Sequence, residues 1–224
     1  MRRLRAAVVT ALAVSALITA PAVAVAQGDS AVNVVPAPDF VKSMAPPAKV
    51  EGVRAAAELN IQYQIQETGY WCGPAATRIA ISAKNGNPPS QQQLANELPT
   101  TTNGTDWIGQ VTRVLNNHVA GGWYETKEMP NDPPTQAQRD LLWRDIVLDV
   151  DKGYAIVANI VAPADNHPPG YPNYTIYHYF TIIGYNSDNM TVKIADPANF
   201  GGNQIYWLTF NQLATLIPPK GYSA

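Results

Sequence analysis

The sequence predicts an α+β fold on three observations. Ala76, Ile79, Ala80 and Ala83 recur at helical spacing in the first half, and further helical patterns follow to residue 151. Apolar strand-like runs dominate from Tyr154 onward. A polar turn, Asn186-Ser187-Asp188-Asn189, joins two of those runs as a hairpin. Helices therefore come first and an antiparallel sheet second.

The elements follow in order. Residues 27–58 hold two proline patches, Val35-Pro36-Ala37-Pro38 and Ala45-Pro46-Pro47-Ala48, and little periodicity. They read as an extended, mobile linker or a propeptide, with a short helix conceivable over 50–59. Leu59 to Ile65 alternates as a short strand. A helix starts right after Cys72, where Pro74 suits the first turn, and Asn85-Gly86-Asn87-Pro88 stops it. Ser90-x-x-Gln93 opens a second helix, to about Leu98. Thr105 or Asp106 caps a third, to about Asn117, with Ile108, Val111 and Leu115 on one side. A strand is expected over 123–128. A helix over 136–151 follows, with Leu141, Leu142, Ile146 and Val150 inward and Gly153 as its stop. Tyr154 to Ala162 reads as a buried central strand, 163–173 as a Pro/Gly-rich loop, and Ile176 to Tyr185 and Met190 to Ala195 as the hairpin. A last strand, Ile205 to Thr209, and a short helix, Asn211 to Ile217, close the chain.

The 224 residues are 46 % hydrophobic and 14 % charged, enough apolar material for one full core. Beyond Arg2, Arg3 and Arg5 there is no basic cluster, so no nucleic-acid partner is expected. Residues 1–26 read as a signal peptide: those arginines, a 13-residue apolar run from Ala6 to Ile18, and Ala24-Val25-Ala26 before Gln27. The expected product is secreted, with no stable membrane association once the signal is cut. The exported part carries 12 Lys+Arg against 17 Asp+Glu. Secreted proteins use cysteines in pairs. Here there is one, Cys72, which is core filler, an intermolecular bridge or a nucleophile. A helix N-terminus lowers a thiol pKa, and this favours the nucleophile.

A thiolate nucleophile needs a base, a group to orient the base, and oxyanion donors. Of three histidines, His118 reads as a helix-end cap and His167 as an exposed loop residue. His178 stands near the start of a strong strand, either as a satisfied core histidine or as the base. Asp196 lies 18 residues further on, across the hairpin, and the turn centred near 187 sets it roughly opposite 178. Gln66, six residues before Cys72, is positioned to offer amide N–H groups. No metal or organic cofactor is required.

Gln66, Gly69-Tyr70-Trp71-Cys72-Gly73-Pro74-Ala75-Ala76, His178-Tyr179-Phe180-x-x-Ile183-Gly184-Tyr185 and Ala195-Asp196-Pro197 occur in that order. Together they resemble the secreted, stand-alone relatives of the bacteriocin-leader-processing cysteine peptidases (family C-thirty-nine), over about residues 60–215. The resemblance implies a papain-like cysteine peptidase domain over 59–224 that acts on a peptide or protein substrate. It also implies Cys72 as nucleophile, His178 as general acid/base, Asp196 as its orienter and Gln66 as oxyanion-hole donor. The best-understood relatives are transporter domains that cut after a double-glycine leader. No transporter portion is seen in this chain, so the resemblance does not carry that substrate over. Two other readings share the residues: a cysteine acyltransferase (transpeptidase or cell-wall peptide hydrolase) and a non-catalytic peptide-binding module.

Overall fold

The computed structural model describes residues 37–121 and 123–224; the signal-peptide segment lies outside them. Six helices are present among the described residues: α1 (Asp39–Lys42), α2 (Cys72–Ser82), α3 (Gln91–Glu97), α4 (Ile108–His118), α5 (Gln136–Asp151) and α6 (Phe210–Leu216). The strands are β1 (Ala56–Glu58), β2 (Thr126–Glu128), β3 (Ile156–Ala162), β4 (Ile176–Asn186), β5 (Thr191–Ala195), β6 (Ile205–Thr209) and β7 (Gly221–Ser223). They form one sheet in the order β2-β7-β3-β4-β5-β6, with β1 paired to the far end of β4, and every pairing is antiparallel.

Alternation along the central strands sends side chains to two faces. On one face Ile156, Ala158, Ile160, Phe180 and Ile182 meet Leu142, Trp143 and Ile146 of α5 and Leu213 of α6. On the other, Val157, Tyr179 and Ile183 meet Ala76, Ile79 and Ala80 of α2 and Val111 and Leu115 of α4. Ile79 is fully buried, a contribution of about 1.5–3 kcal/mol for such a side chain. The helix bearing the only cysteine is thus clamped to the strand bearing His178.

Local chemistry explains the helix bounds. Thr135 Oγ1 accepts the Gln138 N–H at 3.3 Å while Gln138 Oε1 accepts the Thr135 N–H at 2.9 Å, a reciprocal cap that starts α5. Ser90 Oγ caps α3 through the Gln93 N–H at 3.2 Å. The cap of α4 differs from expectation. Trp107 precedes the helix, and its N–H is held at 3.1 Å by Gln110 Oε1. Thr105 instead shares a 2.7 Å hydroxyl hydrogen bond with Thr100, under α2. In α5, Leu141 is only half-buried, and Trp143 and Val147 fill the core alongside Leu142, Ile146 and Val150.

Residues 37–58 differ most from the sequence reading. The short helix conceivable over 50–59 is absent, and the strand expected over 59–65 lies earlier, at β1. The segment is pinned rather than loose. The Ala48 N–H donates to Asp140 at 2.7 Å, Arg54 Nε meets Asp151 Oδ1 at 3.0 Å, and Asn211 Nδ2 donates to the Val41 carbonyl at 3.1 Å. These anchors lie on α5 and α6, and β1 covers residues 184–186 of β4. Strand β7, which the sequence reading lacks, fills the space between β2 and β3. Gly221 permits it, since a Cβ there would stand 2.4 Å from the Lys127 carbonyl oxygen. No described helix is long and apolar enough to cross a membrane.

Candidate active site

Cys72 is the first residue of α2 and is half-buried. The free N–H groups and dipole of the helix N-terminus favour an anion there. The ring of His178 and the backbone N–H groups of Tyr179 and Gly73 face the sulfur closely enough to act on its charge. Burial alone pushes the thiol pKa up; the His178 hydrogen bond and charge and the two backbone donors outweigh it, and the thiol lies below its usual value.

Gly73 has its own reason to lack a side chain. A Cβ there would fall 2.2 Å from Thr105 Oγ1, so α2 packs against Thr105 only with glycine at this position. The requirement lies under the helix, at Thr105, and not at the sulfur. Thr181 Oγ1 of β4 donates to the Ala76 carbonyl at 2.8 Å and fixes the first turn of α2 to the sheet.

His178 is 4 % exposed and Asp196 fully buried. The carboxylate can only accept, so His178 Nε2 carries the proton in the 2.8 Å hydrogen bond to Asp196 Oδ1. Nδ1 is then the ring nitrogen left to face the sulfur. Burial pushes the imidazole down, but the Asp196 charge and hydrogen bond, joined by Cys72, raise it to about 10. Asp196 is likewise pushed up by burial and held below the usual carboxylate range by the His178 charge and its hydrogen-bond donors. The site therefore favours an imidazolium between two anions.

The route from sequence to this pair is not the simple hairpin symmetry expected. A bulge between Ile182 and Gly184 shifts the β4–β5 register, and Thr181 pairs with Ala195. Continuing that register sets Asp196 beside Phe180, so His178 is its diagonal neighbour two residues along, a reach that long side chains span.

Gln66 precedes α2 and is tied to the Asp196 loop, its N–H donating to the Pro197 carbonyl at 2.9 Å. Its Nε2 donates one N–H to the Thr68 carbonyl at 2.8 Å, leaving the second uncommitted, and Oε1 is buried without a partner. The fully buried Gln91 of α3 braces both flanks of Gln66: Nε2 donates to the Ile65 carbonyl at 2.8 Å and Oε1 accepts the Glu67 N–H at 3.0 Å. Sequence reasoning missed Gln91, one of three consecutive glutamines at the start of α3.

The other histidines have structural posts. His118 ends α4 and meets Glu97 at 2.6 Å. His167 is half-buried rather than exposed and lies parallel to the Tyr171 ring. Three tyrosines not singled out from the sequence surround Asp196. Tyr171 and Tyr206 each donate to Oδ2 at 2.7 Å, and Tyr63 donates to its backbone carbonyl at 2.7 Å. A cavity of about 280 Å³ lined by Trp123, Asp145, Asp149 and Tyr154 involves none of Gln66, Cys72, His178 and Asp196.

No curated protein matches the sequence. Among solved structures, the recombinant stem bromelain precursor is similar over 80 % of this chain and 74 % of its own, at 12 % identity and TM-score 0.50. That likeness shows a papain-like fold. The peptidase domain of Streptococcus ComA, a bi-functional ABC transporter, is 16 % identical over 73 % of this chain and 98 % of its own, at TM-score 0.45. Xylellain, a cysteine protease from Xylella fastidiosa, is 12 % identical over 86 % of this chain and 90 % of its own, at TM-score 0.47. The sequence profile described as the Peptidase_C39 like family matches residues 58–216. With that match spanning most of its length, the chain is a papain-like cysteine-peptidase-type domain and belongs to the Peptidase_C39 like family.

Proposed function

We propose that the protein is a secreted cysteine peptidase that hydrolyses peptide bonds through Cys72, His178 and Asp196, with Gln66 in the oxyanion hole. The observation that carries the reading is the buried 2.8 Å hydrogen bond from His178 Nε2 to Asp196 Oδ1, with Cys72 at the N-terminus of α2 in electrostatic reach of the same ring. The thiolate attacks a substrate carbonyl, and the carbonyl π electrons move to oxygen. The second N–H of Gln66 and the Cys72 backbone N–H receive that oxyanion; each such donor is worth about 3 kcal/mol of barrier. His178 gives its Nδ1 proton to the leaving amine as the C–N bond breaks, leaving a thioester. The ring then takes a proton from water as the water oxygen adds to the thioester; the C–S bond breaks, the Cys72 thiolate returns beside the imidazolium, and the carboxylic acid product leaves. Asp196 keeps the Nε2 proton and the ring plane in place throughout. Export rests on the N-terminal sequence pattern.

Incubating the purified protein with a peptide library, beside Cys72→Ser, tests the reading. Cleavage by the first and not the second supports it. If products form only when an amine acceptor is present, acyl transfer replaces hydrolysis. If Cys72 resists alkylation at neutral pH and no peptide is cut, the site is not catalytic.

A further inference from the structure

The loop 163–173 reaches the Asp196 carboxylate through its side chains. Tyr171 is 6 % exposed and donates its phenol to Asp196 Oδ2 at 2.7 Å. Its ring stands edge-on to His178, with centroids 6.0 Å apart, and against Phe200 at 4.6 Å. Tyr206 of β6 reaches the same oxygen at 2.7 Å. Oδ1 is equally full, accepting from His178 Nε2 and from the Ala198 N–H at 2.9 Å. Four donors thus occupy the four lone-pair directions of one carboxylate. The loop is itself anchored, since Asn166 Nδ2 donates to Thr215 and Gln212 Nε2 to the His167 carbonyl. Gly170 allows the close seat against the 200–203 turn; a Cβ there would lie 2.3 Å from the Phe200 carbonyl oxygen.

We propose that Tyr171 and Tyr206 are positioning residues that lock the Asp196 carboxylate in the orientation His178 needs, and that the 163–173 loop exists to deliver Tyr171. This rests on the peptidase reading of the site. Neither phenol touches substrate. Each acts by stabilising the charged form of Asp196 and by fixing Oδ1 towards Nε2. The titratable groups facing the pair are Cys72 from α2, Tyr63 from the strand-like entry segment, Tyr171 and His167 from the loop, and Tyr206 from β6. Losing one donor raises the acid limit at which Asp196 takes a proton and the thiolate–imidazolium pair collapses.

The test is the rate of Cys72 alkylation by iodoacetamide against pH, which needs no known substrate. Wild type, Tyr171→Phe, Tyr206→Phe and Tyr222→Phe are compared, each with its melting temperature. Tyr222 supplies the control: its buried phenol donates to a different carboxylate, Asp145 Oδ2, at 2.9 Å. The expected result is an acid limb raised by about half a pH unit in each of the first two variants, roughly a threefold loss of thiolate on that limb, and no shift in Tyr222→Phe. An unmoved limb in Tyr171→Phe, or an equal shift in Tyr222→Phe, overturns the proposal. If Tyr171→Phe fails to fold, Tyr206→Phe decides by the same criterion. A wild-type thiol that reacts only at ordinary thiol pH overturns the peptidase reading itself, and the positioning role with it.

Discussion

His178 Nε2 lies 2.8 Å from Asp196 Oδ1, a buried contact between the start of β4 and the residue just past β5. The bulged β4–β5 hairpin between them sets the register that brings them together. Replacing Asp196 with Asn leaves the shape intact but removes the charge and the tautomer control. Peptide hydrolysis by Asp196→Asn is expected to fall by about 10²–10⁴-fold in kcat, with KM little changed. A loss under tenfold in steady-state kinetics contradicts the orienting role.

The same pair predicts a pH window. His178 is raised to about 10 in the fold, so its stabilising contribution is full below the unfolded value near 6.5 and is lost as pH rises through about 10. The ring ¹⁵N shifts of wild type should titrate near that upper value and return towards about 6.5 in Asp196→Asn. A wild-type ring that titrates near neutrality contradicts the buried ion pair.

Gln91 holds both peptide groups that flank Gln66. Gln91→Leu leaves the part-buried Ile65 carbonyl and Glu67 N–H without their partner, at about 1 kcal/mol each. Hydrolysis is expected to drop by roughly tenfold to a hundredfold in kcat, resembling a weaker Gln66→Ala. Thiol alkylation at neutral pH is expected to stay near wild type, which separates loss of the oxyanion donor from loss of the nucleophile.

At Gly73 the expectation is steric. The added Cβ of Gly73→Ala meets Thr105 Oγ1 at 2.2 Å, and α2 must tilt to relieve it. A loss of about 1–3 kcal/mol in denaturant unfolding is expected. Gly73→Ala combined with Thr105→Gly should recover much of it; a failure to recover places the strain elsewhere.

Residues 37–58 contact α5, α6 and the 184–186 end of β4, away from the end of β4 that carries His178. Removing them should lower the melting temperature by several degrees, because a sheet edge and the Asp151 pair with Arg54 are laid open. The cleavage rate at low temperature should not rise. A large gain in rate on truncation makes the segment an inhibitory one.

Much of this was legible in the sequence, and the misses have physical causes. The range of α5 follows from a reciprocal cap at Thr135 and a glycine stop at Gly153, both local and strong. The bounds of β3 and β4 follow from long apolar runs. The three-residue strands β1 and β7 carry no readable period and exist because neighbours complete them, while β2 occupies the end of the strand expected over 123–128. Cys72, His178 and Asp196 stood out as the lone thiol, a polar break in an apolar strand and an acid at a hairpin end. Tyr171 and Tyr206 did not, because a tyrosine in a loop or strand reads as packing. The signal that points to them is indirect: a carboxylate buried as deeply as Asp196 must find donors.

Strand β4 has a further consequence. It pairs with β1, β3 and β5 and supplies Phe180 and Ile182 to one core and Tyr179 and Ile183 to the other. Fraying it would uncover both cores at once, so the imidazole cannot loosen by a cheap local opening. Heating or chaotropes should therefore extinguish thiol reactivity and tertiary signal at a single midpoint, with no dormant but folded form on the way.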